Sequence, residues 1–214
     1  MSRTTAPLLS FGASGQIGKT QVYASWKGRA YARRYVIPAN PNSVSQQATR
    51  NPFKWLQNVY KYLPGNVVDG WELYAKNSQI TSRNAFTKIN LSALIGETTL
   101  ANFIFSPSAS GGLIAAGITV TPAATQLTVA LDEPSLPTGW TISQAYAAAI
   151  EAQNPTSGVL YTVTSAVDAA TPFAPVITGL LAATNYVVGG WFQFTKPDGS
   201  FAYGQALMDV GTTP

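Results

Sequence analysis

The stretch TGLLAATNYVVGGWFQFTKPDGSFAYG, residues 178–204, decides the fold of the second half of the chain. It contains a long strand, a tight turn and a return strand. One face of the long strand carries apolar or small residues at the period of two that a pleated strand imposes. These residues are Tyr186, Val188, Gly190, Phe192 and Phe194. A strand this apolar needs a second sheet to cover it, so we predict a β-sandwich.

The turn and its neighbours extend this prediction. In Lys196-Pro197-Asp198-Gly199, proline presets φ, aspartate can bond to nearby backbone and Gly199 accepts a positive φ. Short segments between turn signals predict five earlier strands, at 117–121, 126–131, 140–150, 160–164 and 176–180. Together with strands at 185–195 and 200–207 they make a seven-stranded antiparallel β-sandwich within residues 107–214.

The segment before the long strand resembles fibronectin type III modules. Thr178-Gly179-Leu180 followed by Thr184-Asn185-Tyr186-Val187-Val188 is similar to the motif that precedes their sixth strand. The resemblance implies an Fn3/Ig-like domain in which the Tyr186 hydroxyl bonds to nearby backbone and holds the corner between the sheets. Leu180 and Thr184 belong to the same motif. Val129 and Leu131 stand where these modules have a tryptophan.

Composition excludes several kinds of chemistry. The 214 residues include no cysteine and no histidine, and only 10% are charged. The chain therefore has no disulfide, no thiolate nucleophile and no cysteine-based metal site, and it lacks the commonest general base at neutral pH. We predict no catalytic, cofactor-binding or metal-binding residues, and we expect that the protein is not an enzyme.

Charge is distributed unevenly along the chain. Residues 1–100 hold twelve of the thirteen Lys and Arg and only three acids, a net charge of +9, whereas residues 101–214 hold Lys196 and six acids, a net charge of −5. This asymmetry indicates two domains with different partners, or head-to-tail packing of one copy on the next. Ser, Pro and Gly cluster in 97–112, so we place a linker there between domains 1–100 and 107–214.

The first domain is predicted to be a small α+β domain. A glycine-rich arm, 1–19, precedes a β-hairpin with strands at 21–26 and 29–37. A capping box at 43–46 and apolar residues at helical spacing over 53–63 predict a helix that Pro52 kinks or restarts. A second helix is expected around 67–75 and a third after Ser82. Trp55, Trp71 and Tyr74 are expected in a helical core packed on the hairpin.

Basic and aromatic residues alternate along this hairpin. We predict that the arm and the hairpin contact a neighbouring subunit, and that together they anchor the protein to a larger particle. The contact residues are Gly15, Gly18, Lys19, Trp26, Lys27, Arg29, Tyr31, Arg33, Arg34 and Tyr35. Nucleic-acid binding, through phosphate contacts and base stacking, is the alternative for the same surface.

Three further motifs suggest chemistry and are interpreted structurally. The run 13–20, ASGQIGKT, is close to a phosphate-binding P-loop, but residues 21–26 predict a strand where a P-loop needs a helix. Asp132 and Glu133 are adjacent, so they do not converge across a cleft as glycosidase carboxylates must. Trp140 and Trp191 could stack on sugars, although core or interface packing is the preferred interpretation.

The first half resembles small proteins encoded among the virion genes of tailed bacteriophages. The matching positions are 15–19, 26–28, Tyr31, Arg33, 40–41, 46–47, Arg50, Phe53, Trp71 and 83–86. The resemblance implies a virion structural protein: a capsid decoration or cement protein, or a head–tail vertex (collar) protein. A tail tube, sheath or tail accessory protein, and a carbohydrate-binding module for host attachment, remain alternatives.

The expected partners and location follow from the same resemblance. They are other virion proteins (capsid, portal or tail) and copies of the protein itself, in a virion assembled from proteins made in the host cytoplasm. No cofactor is expected. No membrane contact is expected either, since no run approaches the roughly 20 apolar residues that a bilayer span needs.

Overall fold

A computed structural model describes residues 2–3, 13–37, 39–40, 42–76, 78–95, 97, 100–152 and 163–214. The chain divides into two compact units, Met1–Asn42 and Ser43–Pro214, which we call the N-terminal unit and the C-terminal unit. The helices within the described ranges are all too short or too polar to cross a membrane.

The N-terminal unit is a single antiparallel sheet of four strands. These are β1 (Ser2–Arg3), β2 (Gly15–Ile17), β3 (Gln21–Trp26) and β4 (Arg29–Arg34), in the order β1-β4-β3-β2. The predicted hairpin is present as β3 and β4, although β4 ends three residues earlier than predicted. The predicted arm over 1–19 contains strand β2 and is therefore not irregular throughout.

Three helices open the C-terminal unit: α1 (Val44–Lys61), α2 (Gly65–Ala75) and α3 (Ser82–Leu94). Side-chain caps start two of them, because the Ser43 hydroxyl accepts from the Gln46 N–H and the Thr81 hydroxyl accepts from the Asn84 N–H. Helix α1 continues through Pro52, so the predicted restart does not occur.

Eight strands follow: β5 (Gly117–Ala123), β6 (Gln126–Asp132), β7 (Thr141–Glu151), β8 (Thr164–Asp168), β9 (Val176–Thr178), β10 (Asn185–Thr195), β11 (Phe201–Tyr203) and β12 (Leu207–Thr212). They form an antiparallel sheet of five strands, in the order β11-β10-β7-β8 with β12 also on β10, and an antiparallel sheet of three, in the order β5-β6-β9. The predicted class, mainly β with a few helices, is confirmed.

Strand β10 lies at the centre of this unit and is buried on both faces. Tyr186, Val188, Phe192 and Phe194 belong to the core shared with the three-stranded sheet, as their alternation predicts. Val187 and Trp191 belong to a second core, which the helices complete. The C-terminal unit therefore has three layers, with the five-stranded sheet between the helices and the smaller sheet.

The number of strands in the second half differs from the seven predicted. The predicted return strand 200–207 is present only as β11, which ends at Tyr203, and β12, which shares only Leu207 with that prediction, was not predicted. After β11 the Ala206 N–H donates to the Ser106 carbonyl. Of the strand predicted at 160–164, residues 160–162 lie outside the described residues, and β8 begins at Thr164.

The segment predicted as a linker, 97–112, is part of the helix-side core. Leu100, Phe103 and Phe105 are fully buried there. The Trp71 indole N–H donates to the Phe105 carbonyl at 2.6 Å. The predicted boundary near residues 100–107 thus does not coincide with the division at residue 42, because the helices share their core with the five-stranded sheet.

Candidate protein-docking surface

Two tight turns shape the N-terminal sheet. Gly18 and Lys19 have φ of +51° and +55°, and the Thr20 N–H donates to the Ile17 carbonyl at 3.0 Å. Lys27 and Gly28 have φ of +49° and +73° in the two-residue loop between β3 and β4. Positive φ at both central residues is typical of type I′ turns, whose twist matches that of the strands they join.

The first of these turns bears on the P-loop-like run at 13–20. A P-loop directs backbone amides and a helix dipole at phosphate, so a helix must begin directly after its lysine. Here β3 begins at Gln21, two residues after Lys19. The Thr20 hydroxyl donates to the Ile17 carbonyl at 2.9 Å. This run is therefore a hairpin turn and lacks the geometry that holds phosphate.

Strand pairing sorts the predicted contact residues onto two faces. Residues directly opposite in an antiparallel pair share a face, and alternate residues along a strand share it too. We call one face the basic–aromatic face; it carries Val22, Ala24, Trp26, Arg29, Tyr31 and Arg33. Arg34, paired with Gln21, lies on the opposite face together with Tyr23 and Gly15.

The remaining predicted contact residues lie in turns or beyond the strand. Gly18, Lys19 and Lys27 are at the turns described above. Tyr35 follows β4, and its backbone N–H donates to the Thr20 carbonyl at 2.8 Å. The structure therefore brings together four of the predicted side chains on one face, those of Trp26, Arg29, Tyr31 and Arg33, and places the others around its edges or behind it.

The basic–aromatic face is open. None of residues 13–37 is buried, and Trp26 keeps 68% of its surface exposed. The Lys27 ammonium lies 4.9 Å from the centroid of the Trp26 ring, a cation–π contact. Residues 1–42 contain six Lys and Arg and no acid. This surface is therefore apolar and strongly cationic at once.

Sequence reasoning missed other apolar residues of the N-terminal unit. Ile17, Val36 and Ile37 are 45%, 61% and 76% exposed. The sequence does contain a signal for them: they are large aliphatic residues in a segment that has too few other apolar residues to bury them. A sheet of one layer with both faces open is marginal by itself, and these residues add to its exposed apolar surface.

The four residues predicted to define the second-half fold occupy a corner and a turn. The Tyr186 hydroxyl accepts from the Leu181 N–H at 2.9 Å, the kind of contact that the fibronectin resemblance implies. Leu180 is buried, and its N–H donates to the Thr125 carbonyl. The Thr184 N–H donates to the Thr213 hydroxyl at 3.1 Å.

Gly199 completes the hairpin turn between β10 and β11. Its φ is +79°, and its N–H donates to the Lys196 carbonyl at 2.9 Å. The Asp198 carboxylate accepts from both the N–H and the hydroxyl of Ser200. These bonds lower the pKa of Asp198, the hydroxyl bond having the larger effect, so the carboxylate stays ionised in mildly acidic solution.

A cluster of tyrosine and glutamine side chains is the polar group most like a reaction centre. The Tyr146 hydroxyl donates to Gln144 Oε1 at 2.6 Å, and Gln193 Nε2 donates to the Tyr203 hydroxyl at 2.9 Å. Burial raises the pKa of Tyr203 to about 12, with smaller contributions from Tyr146 and Asp69. Burial likewise raises the pKa of Tyr146. Both phenols are therefore protonated at neutral pH and serve as hydrogen-bonding core groups.

The remaining candidate residues divide by exposure. Trp191 is fully buried, stacked on Phe105 and Tyr146, so it cannot stack on a sugar. Trp140 is half-buried, and the Lys196 ammonium lies 5.4 Å from its ring centroid. Asp132 and Glu133 are exposed. Within the described ranges, no three or more acidic side chains come close enough together to hold a metal ion.

Comparison with known proteins gives weak structural likeness. Neither a protein-family model nor a curated protein matches the sequence. A solved structure described as "Myokine structure" is similar over 48% of this chain and 98% of its own, with 15% identity and a TM-score of 0.36. A likeness at that TM-score carries no argument about fold or function.

Proposed function

We propose that the protein is a structural component of a tailed-phage virion that assembles by repeated protein–protein contacts. The observation that carries this proposal is the open N-terminal sheet, in which none of residues 13–37 is buried. Such a sheet cannot stabilise itself, because both of its faces remain in water. A covering protein surface would complete it, and residues 13–37 would then become an anchor.

The chemistry of the basic–aromatic face supports a protein partner. Tryptophan, tyrosine and arginine are the residues in which binding energy is most often concentrated at interfaces. Trp26, Tyr31 and two arginines are together on this face. Each such contact is small, but many copies bound to one particle add their affinities through multivalency.

In this proposal residues 107–214 of the C-terminal unit form an Fn3/Ig-like sandwich that projects from the particle or contacts neighbouring copies. The two sheets with a shared core and the bond between Leu181 and Tyr186 support the assignment. Capsid decoration or cement, or a collar at the head–tail vertex, is the proposed position, and a tail accessory protein is the alternative. The proposed role is assembly without catalysis or a cofactor.

Incorporation into particles tests this function. Trp26→Ala combined with Tyr31→Ala removes the aromatic part of the basic–aromatic face and changes no residue of the C-terminal unit. We expect at least about a tenfold drop in copies per particle, measured by quantitative mass spectrometry of purified virions, because truncated interface anchors often cost 2 kcal/mol or more. The matched control is Tyr23→Ala, on the opposite face of the same sheet, which should incorporate at the wild-type level.

Two outcomes would contradict the proposal. One is the absence of the protein from purified particles. The other is incorporation of the double variant at the wild-type level. The number of copies also separates the positions, since hundreds per particle indicate capsid decoration and a dozen or fewer indicate a vertex or tail ring.

Host attachment through carbohydrate is tested separately with residues 43–214, which retain the whole C-terminal unit. Specific glycan binding by this fragment, abolished by Trp140→Ala, would favour the attachment role over the pure assembly role.

A further inference from the structure

We infer that the basic–aromatic face of one copy docks on an acidic end of the C-terminal unit of the next copy, so that copies associate head to tail. This inference rests on the proposed assembly function and names its partner as a second copy of this chain. It is carried by an apolar, acidic surface at one end of the strands, whose charge complements that of the N-terminal unit.

Strand pairing and side-chain contacts bring the loops of this end together. Thr141 pairs with Thr195, so the loop before β7 and the turn after β10 leave the five-stranded sheet at the same end. The Lys196 ammonium reaches over the Trp140 ring between these two loops. The Leu131 N–H donates to the Phe173 carbonyl at 3.0 Å, which brings the end of β6 beside the β8–β9 connection.

This acidic end carries four carboxylates: those of Asp132, Glu133, Asp168 and Asp198. Lys196 is the one basic residue in the whole of 101–214. Asp168 accepts from the Ala174 and Ala170 N–H groups, which lower its pKa, so its negative charge persists in mildly acidic solution. The end therefore presents a net negative field next to the strand termini.

The two surfaces match in polarity as well as in charge. The N-terminal unit has six basic residues and no acid, and it exposes Trp26 and three large aliphatic side chains. Beside its carboxylates the acidic end exposes Leu136 by 37% and Phe201 by 50%. Each surface thus has exposed apolar groups beside charges, and the charges of the two surfaces are opposite in sign. Specific protein contacts have this composition, in which charge sets the orientation and the choice of partner.

Docking of two different surfaces gives a heterologous contact. Such a contact generates rings when the rotation closes and open chains when it does not. Every copy presents one surface of each kind, so a bound copy leaves one free surface at either end of the assembly. A closed ring of such copies would suit a collar, and an open array of them would suit a decoration lattice.

A charge swap in the full-length protein tests the contact. One variant carries Arg29→Glu and Arg33→Glu on the basic–aromatic face, and the other carries Asp132→Lys and Glu133→Lys at the acidic end. Each alone should weaken self-association at least about tenfold in sedimentation velocity at low salt, because attraction becomes like-charge repulsion. Mixed together, they should associate to within about threefold of the wild type, since each reversed surface meets its reversed partner.

Matched controls carry the same change of charge elsewhere. Lys54→Glu with Lys88→Glu changes exposed basic residues of α1 and α3, outside the N-terminal unit. Glu72→Lys with Glu97→Lys changes exposed acids outside the acidic end. Both controls should associate like the wild type. Far-ultraviolet circular dichroism and melting of each variant check that the C-terminal unit stays folded.

Several results would overturn the inference. The wild type could remain monomeric at low salt, or the mixture could stay as weak as either variant. Binding of single-stranded DNA that the Arg29→Glu/Arg33→Glu variant alone abolishes, without self-association, would assign the basic–aromatic face to nucleic acid.

The experiment separates this inference from the proposed function. If the face is needed for incorporation into particles but the purified protein never self-associates, the virion role stands and the second-copy contact fails. If copies associate head to tail but the protein is absent from particles, the contact stands and the virion role fails.

Discussion

Gly189 and Gly190 show how single residues set the distance between the layers of the C-terminal unit. A Cβ atom on Gly189 would lie 2.4 Å from Cδ2 of Phe105, on the helix side of β10. A Cβ atom on Gly190 would lie 2.6 Å from Cδ2 of Leu131, on the other side. Consecutive glycines thus allow both neighbouring layers to approach the same point of one strand.

Gly189→Ala should destabilise the C-terminal unit by about 2 kcal/mol, because the added methyl group overpacks a closed site. Phe105 cannot move aside freely, since it is fully buried and packed against Phe103 and Trp191. Urea denaturation measures the change. Gly65→Ala is the control, because nothing lies within 4 Å of its Cβ position; an equal loss there would refute this explanation.

Tyr186→Phe should cost about 1 kcal/mol, the usual net value of one hydrogen bond, because the Leu181 N–H loses its acceptor. The ring itself stays, so packing is preserved. Thermal and urea unfolding measure the effect. Tyr62→Phe, at a residue 57% exposed, serves as the control and should leave stability unchanged. Wild-type stability in Tyr186→Phe would remove the corner role from this hydroxyl.

At the scale of elements, one buried side-chain amide joins helix α3 to the segment around Ile104. Asn90 on α3 is fully buried, and its Oδ1 accepts from the Ile104 N–H at 2.7 Å. Its Nδ2 donates to the Ile104 carbonyl at 3.1 Å and to the Phe86 carbonyl at 3.2 Å. The side chain thus satisfies both backbone groups of a residue that no strand pairs.

Asn90→Leu should destabilise the C-terminal unit by about 3 kcal/mol, because it leaves two buried backbone groups of Ile104 without partners. Hydrogen exchange at the Ile104 amide should rise together with the fall in urea midpoint. Asn84→Leu, at an exposed position of the same helix, is the matched control. If the two variants lose equal stability, the loss does not come from the hydrogen bonds between Asn90 and Ile104.

Alkaline pH should lower the free energy of unfolding of the C-terminal unit, because two buried tyrosines lie where α2, β7, β10 and β11 meet. The pKa of Tyr203 is raised to about 12 in the folded state, chiefly by burial, against an ordinary value of 10. The folded state therefore holds this proton more tightly, and the stabilising contribution is complete below pH 10 and is lost between about pH 10 and 12. Tyr146, also raised, adds to the effect.

Urea midpoints measured from pH 8 to pH 12 test this dependence. The wild-type midpoint should fall most steeply above pH 10, and Tyr203→Phe should flatten the profile, leaving the smaller contribution of Tyr146. Tyr62→Phe should keep the wild-type profile. A profile unchanged by Tyr203→Phe would show that this phenol does not govern the alkaline transition.

At the scale of the whole molecule, the position of the division decides which fragments fold. Residues 43–214 contain both hydrophobic cores, so we expect this fragment to melt within about 3 °C of the full-length protein. Residues 107–214 lack the helices that cover Trp191 and Val187. We expect that fragment to aggregate or to lose cooperative unfolding, as exposed apolar sheet faces do.

Calorimetry and light scattering of the two fragments measure this difference. If the 107–214 fragment is soluble and unfolds cooperatively, the domain boundary predicted from the composition of 97–112 would be correct. Failure of 43–214 to fold would mean that the N-terminal unit contributes to the cores, contrary to the division at residue 42.

The sequence by itself determined the local structure of most elements. Alternation in β10, the turn residues around Gly199 and the cap at Ser43 are local signals, and each depends on residues close in the chain. The hairpin of β3 and β4 is of the same kind. The grouping of Trp26, Arg29 and Tyr31 on one face, by contrast, required the register of β3 and β4.

Only the tertiary structure decided what covers each face. Strand β10 shows one apolar alternation, but both of its faces are buried, and the residues that cover the second face are 80 or more positions earlier. The run 97–112 has the composition of a linker, yet Phe103 and Phe105 pack between helices and sheet. Burial depends on partners distant in sequence, and composition within a window carries no information about them. For the same reason the acidic end, assembled from three separate loops, emerges only once the strands are paired.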